Sequence, residues 1–203
     1  AAPTATGTAA TLPSCIVRPA LTEGPFFVDE KLDRSDIRSD PTTGAVRPGA
    51  LLTLSFRVSR VSGSACTPLT GAMVDVWQCD ALGVYSDVQN ARGQKFLRGF
   101  QNTDASGSAR FTTIYPGWYQ GRAVHIHFKI RPTSASEFTS QLFFDEAVND
   151  EVFAQAPYSQ RGTQGLTRNA QDGIFQQAQG RLTLSVTKSG NTYAGTFDIG
   201  IAS

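Results

Sequence analysis

The stretch RAVHIHFKI (122–130) alternates so regularly that it fits one local geometry, a β-strand whose successive side chains point to opposite faces. Val124, Ile126, Phe128 and Ile130 then share one face, and His125 and His127 share the other. A strand with one apolar face has to bury it against a second layer. The same pattern recurs in LTLSFRVS, where Leu52, Leu54, Phe56 and Val58 oppose Thr53, Ser55, Arg57 and Ser59. Further short runs at about 71–79, 96–101, 108–114, 137–144, 181–187 and 192–199 are divided by turn clusters such as DASG (104–107) and KSGN (188–191). Many short strands at this spacing predict an all-β chain, a single-domain β-sandwich of mixed short strands with long loops.

Helical signal is confined to two short stretches, DEAVNDEVFAQ (145–155) and LTRNAQDGIFQ (166–176), and neither carries a chemical motif. Residues 15–49 are rich in Pro, Gly, Asp and Arg without periodicity and are expected to wrap the sandwich as an ordered loop region. The Ala/Thr/Pro-rich start, residues 1–14, has little to bury and reads as a flexible tail, leaving 15–203 as the domain. Such a tail fits a secreted or cell-surface protein whose signal peptide has been removed. Cys15, Cys66 and Cys79 match no zinc knuckle. In an oxidising compartment Cys66 and Cys79, flanking one strand, are expected to pair, with Cys15 unassigned; in a reducing one all three are free thiols.

With 18 Lys+Arg against 17 Asp+Glu, and no basic run interleaved with aromatics, the chain has no nucleic-acid groove. It has no transmembrane segment either, since no run approaches the roughly 18 apolar residues of a membrane-spanning helix.

His125 and His127 are the only histidines, and at positions i and i+2 of a strand their Cβ atoms lie about 7 Å apart, near enough to meet at one metal ion. A pair of hydrogen-bonded structural histidines fits the same spacing. The commoner metal sets are missing: there is no third His for zinc, and no Asp or Glu adjoins His-Ile-His to complete a ferrous triad. Phenolate is the remaining kind of ligand. The turn in IYPGWYQGR (114–122) delivers Tyr119 beside the histidine strand, and WQCDALGVYSD (77–87) places Tyr85 in a loop.

These pieces, in this order, resemble the intradiol ring-cleavage dioxygenases, the non-haem ferric family of catechol and protocatechuate dioxygenases. The resemblance runs through TEGPFF (22–27), GAMVDVWQCDALGVYSD (71–87), GFQNTDASGSARFTTIYPGWYQGRAVHIHFKI (99–130) and SQLFFDE (140–146). It implies one Fe(3+) held by Tyr85, Tyr119, His125 and His127, with solvent hydroxide. It implies that Tyr119 is the ligand that leaves and accepts a substrate proton; Tyr115, by its position before Pro116 and Gly117, is expected to be a wall residue or to stand behind the ligands. Arg122 is expected to stabilise negative charge on the ring. Pro25, Phe26 and Gln141 are expected to line the substrate pocket. For Arg122 a surface ion pair, and for Gln141 a solvent-facing strand position, are the structural alternatives. The reaction implied is cleavage of catechol-type rings between the two hydroxyls with O2, giving a muconate-type diacid; the partners are a small aromatic diol and O2. The alternative is a non-catalytic β-sandwich binding module.

Two departures bear on the expectation. The family often has Tyr where this chain has Phe26 or Phe27, so a hydroxyl contact there is lost. Residues 1–49 are too short and irregular for the helical dimerisation domain of the dimeric catechol enzymes, so monomer and homodimer both remain open.

Overall fold

The computed structural model describes residues 16–63, 65–133 and 136–202; the tail expected over 1–14 and Cys15 lie outside them. In chain order the described strands are β1 (Leu51–Ser62), β2 (Ala65–Pro68), β3 (Met73–Trp77), β4 (Arg98–Asn102), β5 (Ser108–Ile114), β6 (His125–Arg131), β7 (Phe138–Phe143), β8 (Val186–Ser189) and β9 (Thr192–Ala202). They form two sheets. In the first, β1 pairs in parallel with β9 from Leu51–Thr192 to Val61–Ala202. Its other side is shared antiparallel by β5 and β2, while β8 folds back on β9. The second sheet is antiparallel throughout, in the order β4–β3–β6–β7.

The alternating residues explain the stacking. Leu52, Leu54, Phe56 and Val58 of β1 face inward, as do Ile126, Phe128 and Ile130 of β6, and all are buried. Phe56 meets Phe128 across the gap at 5.2 Å between ring centroids, and Phe197 of β9 meets Phe128 at 5.7 Å. Interlocking aromatics from both layers make the sandwich one continuous apolar core.

Where the structure departs from the sequence reading, local signals were overruled. The run at 181–187 is a turn followed by β8 at Val186, and β2, too short to show alternation, forms against the end of β1. The first helix, α1, is Glu146–Phe153, but the second, α2, is only Gly173–Ala178, because Asp172 rather than an earlier residue caps it. The Cys66–Cys79 pairing is wrong. Cys66, on β2 of the first sheet, is in a disulfide, whereas Cys79 is a free, buried thiol beyond β3 of the second. Closeness in sequence hid the fact that the two belong to different layers.

The outer face of the second sheet mixes polar residues such as His127, Gln141 and Arg98 with aromatics such as Trp77, and a strap over 19–36 crosses it. The strap bonds to both edges: Leu21 N–H donates to Thr139 O (3.0 Å) of β7, and Phe100 N–H of β4 donates to Leu32 O (2.8 Å). The expected wrapping by 15–49 thus includes a roof over this sheet, while its two flanks reach the other one: Gly200 N–H of β9 donates to Ile16 O (2.9 Å) and Ile37 N–H donates to Thr112 O (3.0 Å) of β5.

Candidate metal centre

Under that roof, the register aligns one residue from each strand: Gln141 of β7 opposite His127 of β6, His127 opposite Trp77 of β3, and Trp77 opposite Arg98 of β4. His125 lies on the same face one pleat earlier. Two loops bring the phenols to these imidazoles. After β3, Asp80 builds a turn by accepting from Leu82 N–H and Val84 N–H, both at 3.0 Å, and delivers Tyr85. Arg98, itself buried, donates to Ser86 Oγ (2.8 Å) and so ties down the residue after Tyr85. The second loop, between β5 and β6, carries Tyr119.

The two tyrosine loops are seamed together by glycines. Gly83, at φ +84°, lies so close to the Trp118 carbonyl that a Cβ would fall 2.3 Å from its oxygen. A Cβ on Gly117 would fall 2.5 Å from the carbonyl oxygens of both Asp80 and Ala81. No side chain fits at either position.

The result is a convergence on one atom. His125 Nε2 lies 3.0 Å from His127 Nε2, 3.2 Å from Tyr119 Oη and 3.4 Å from Tyr85 Oη. His125 Nδ1 donates to Ala123 O at 2.6 Å, and since a carbonyl only accepts, Nε2 carries the lone pair and turns it toward the phenols. His127 is held differently. Its Nδ1 is buried without a hydrogen-bond partner. Packing fixes the ring instead: Trp77 stacks on it at 5.0 Å and 7°, and Gly24 approaches so near that a Cβ there would sit 3.2 Å from Cε1. Phe26 covers the phenols, with its ring 4.6 Å from Tyr85 and 6.0 Å from Tyr119. Pro25 stands exposed beside it.

Charge follows burial. Burial, then the nearby Arg122 charge, brings His125 down to about 3, so it is neutral at physiological pH. Burial likewise holds His127 well below the ordinary range, with His125 and Arg122 adding to the effect. Burial raises Tyr85 far above the usual phenol value and Tyr119 to about 12, the latter opposed by Arg122. Both phenols therefore keep their protons until a strong cation arrives. The single lone pair at His125 Nε2 cannot satisfy three neighbours by hydrogen bonds, whereas a cation among the four atoms accepts a pair from each. The donors fit a hard, highly charged ion. Among the described residues, no cluster of three or more His, Cys, Asp or Glu side chains offers another metal site.

Arg122 and Gln141 are not the solvent-facing residues of the structural alternatives. Gln141 is fully buried, and Arg122 is 16% exposed at its side chain. Arg122 Nη2 donates to Gln141 Oε1 (2.6 Å), and Gln141 Nε2 donates to Thr22 O (2.8 Å) of the strap. Arg122 Nε donates to Asp172 Oδ2 (2.9 Å). Burial alone would raise Asp172, but the Ala123 N–H and Arg122 outweigh it and hold the carboxyl below its ordinary range. Trp77, Gly24, Arg98 and Asp172 were not found from sequence. Asp172 had a signal, an acidic residue before Gly-Ile-Phe, but that signal marks a helix start and says nothing of a partner.

The family described as dioxygenase matches residues 22–174 of this chain. Hydroxyquinol 1,2-dioxygenase of Corynebacterium glutamicum is 26% identical over 152 residues, 64% of this chain and 48% of that protein. The protocatechuate 3,4-dioxygenase beta chain of Burkholderia cepacia is 29% identical over 181 residues, 82% of this chain and 72% of its own. Against several curated relatives, including the first, the chain spans about half their length. Among solved structures, an intradiol ring-cleavage dioxygenase from Tetranychus urticae superposes with a TM-score of 0.81 at 30% identity, covering 93% of this chain and 95% of that one.

Proposed function

The chain belongs to the intradiol ring-cleavage dioxygenases, and on that premise we propose that Tyr85, Tyr119, His125 and His127 hold one ferric ion. There, catechol-type rings are cleaved with O2 between their hydroxyls to a muconate-type diacid. The observation that carries the reading is the meeting of two phenol oxygens and His127 Nε2 within 3.4 Å of His125 Nε2. When bound, the ion supplies Lewis acidity that turns phenols and substrate hydroxyls into anions.

The chain's own residues divide the remaining tasks. His125 and His127 are neutral lone-pair donors, the first aimed by Ala123 O and the second by Trp77. Tyr85 is buried and pinned through Ser86, which suits a ligand that stays. Tyr119 is less buried, stands beside the positive charge of Arg122, and holds its proton only weakly once a cation is near. Its Oη is the proposed acceptor for a substrate proton. Arg122, fixed at both ends of its guanidinium, presents a preorganised charge to an electron-rich ring. Phe26 excludes water from the phenols, with Pro25 at the rim and Gln141 orienting Arg122.

The partners are a small aromatic diol and O2, with the chain acting as monomer or homodimer. The disulfide at Cys66 supports a secreted or cell-surface location, where thiols oxidise. The test is direct. Purified protein should bind one iron per chain, show the visible tyrosinate-to-iron absorption, and consume O2 with catechol to give a diacid. Acid should bleach it as the ligands are protonated. Colourless, iron-free protein with no oxygen uptake, or a ring-opened semialdehyde product, overturns the reading.

A further inference from the structure

We propose that Asp172 is a positioning residue for this centre, a buried carboxylate that fixes both Arg122 and the backbone residue from which His125 is aimed. The inference rests on the roles given above to Arg122 and His125.

The two oxygens of Asp172 face different ways. Oδ1 caps α2, accepting from Ile174 N–H (2.8 Å) and Phe175 N–H (3.3 Å). Oδ2 accepts from Arg122 Nε (2.9 Å) and from Ala123 N–H (2.8 Å). Ala123 in turn offers its carbonyl to His125 Nδ1, so its amide is anchored to Asp172 while its oxygen orients a proposed ligand. Beyond Arg122 the chain of bonds continues through Gln141, the register partner of His127, to Thr22 of the strap. One carboxylate thus sits behind the charged residue, one histidine and the covering segment.

A helix cap needs only one oxygen, and α1 shows the contrast. Its cap, Asp145, is exposed and accepts from Ala147 N–H (2.8 Å), with no bond toward the centre. The second oxygen of Asp172, at a residue 3% exposed, is what a capping role leaves unexplained.

Serine caps helices about as well as aspartate but has no second oxygen. Asp172→Ser should therefore keep the helix cap but melt below Asp145→Ser, since it leaves the Arg122 and Ala123 donors unpaired, and in its folded fraction it should release iron to a chelator faster and lose kcat/KM. Loss of an outer partner of a metal ligand costs roughly 10–100-fold in metal affinity or activity. The Asp145→Ser control should match wild type in both. In the metal-free D172S protein, the Ala123 amide should exchange with solvent faster than in wild type. If D172S does not fold, Asp172→Asn, which keeps the shape but offers one oxygen, should show the same direction. A folded D172S equal to wild type in iron release, kcat/KM and Ala123 exchange overturns the inference alone. Wild-type protein that neither holds iron nor cleaves catechol overturns the proposed function, and this inference with it.

Discussion

On the inner face of β6, Ile126, Phe128 and Ile130 need nothing more specific than other apolar side chains from the opposite sheet. On its outer face each residue depends on a particular partner: His125 on Ala123 O just before the strand, and, from distant segments, His127 on Trp77 and Gly24 and Lys129 on Glu23 of the strap. Inner burial is non-directional and tolerant of who supplies the area; outer burial removes polar groups from water and needs directed contacts. The same short strand therefore carries stability on one side and chemistry on the other.

Removing a proposed ligand from the outer face should separate the two most sharply. His127→Ala should abolish iron retention and ring cleavage, a larger loss than the roughly 10–100-fold expected for an outer partner, while the protein stays folded. Iron analysis beside circular dichroism checks this. The opposite experiment is Phe128→Ala, which should lower the unfolding free energy by about 3–5 kcal/mol while iron bound per folded chain holds at the wild-type level. A mutant that loses iron in its folded fraction would show that the faces are coupled after all.

Acid probes the outer face without mutation. In the metal-free protein His125 resists protonation down to about 3, while in the unfolded chain an imidazole takes up a proton near its ordinary value of about 6.5. The folded value is the lower one, so stability is full above about 6.5 and falls as pH drops through the window toward 3, by about 1.4 kcal/mol per pH unit from this residue. Urea titrations of metal-free protein at several pH values should show at least that slope, because His127 is held low as well, and His125→Ala should lessen it without removing it. The smallest effect belongs to the rim. Glu23→Gln breaks an ion pair of 2.5 Å to Lys129, but Glu23 is 40% exposed at its side chain, so the loss should stay within about 1 kcal/mol and vanish in high salt.

The inner face was legible in the sequence because period-two alternation is a local property, visible in 52–58 and 124–130 without knowing what lies opposite. The strand order and the parallel pairing of β1 with β9 were not, since they join residues more than a hundred positions apart. At the centre, alternation placed His125 and His127 on one face, and the resemblance supplied Tyr85 and Tyr119, which the structure brings within 3.4 Å of His125 Nε2. What aims them escaped notice. Trp77 entered only as the head of the run that leads to Tyr85, and Asp172 lay inside the stretch 166–176 read as helical. The cysteines failed for a related reason: Cys66 and Cys79 are neighbours along the chain but lie in different layers.

The strap over 19–36 has a consequence for how the protein survives outside its folded, loaded state. Its bonds to β7 and β4 occupy part of each margin of the second sheet, where unpaired backbone groups would otherwise recruit strands from other molecules. Clipping or loosening that segment would uncover the proposed metal ligands and both margins at once. Loss of the proposed chemistry and exposure of adhesive edges would then go together, since one segment guards against both.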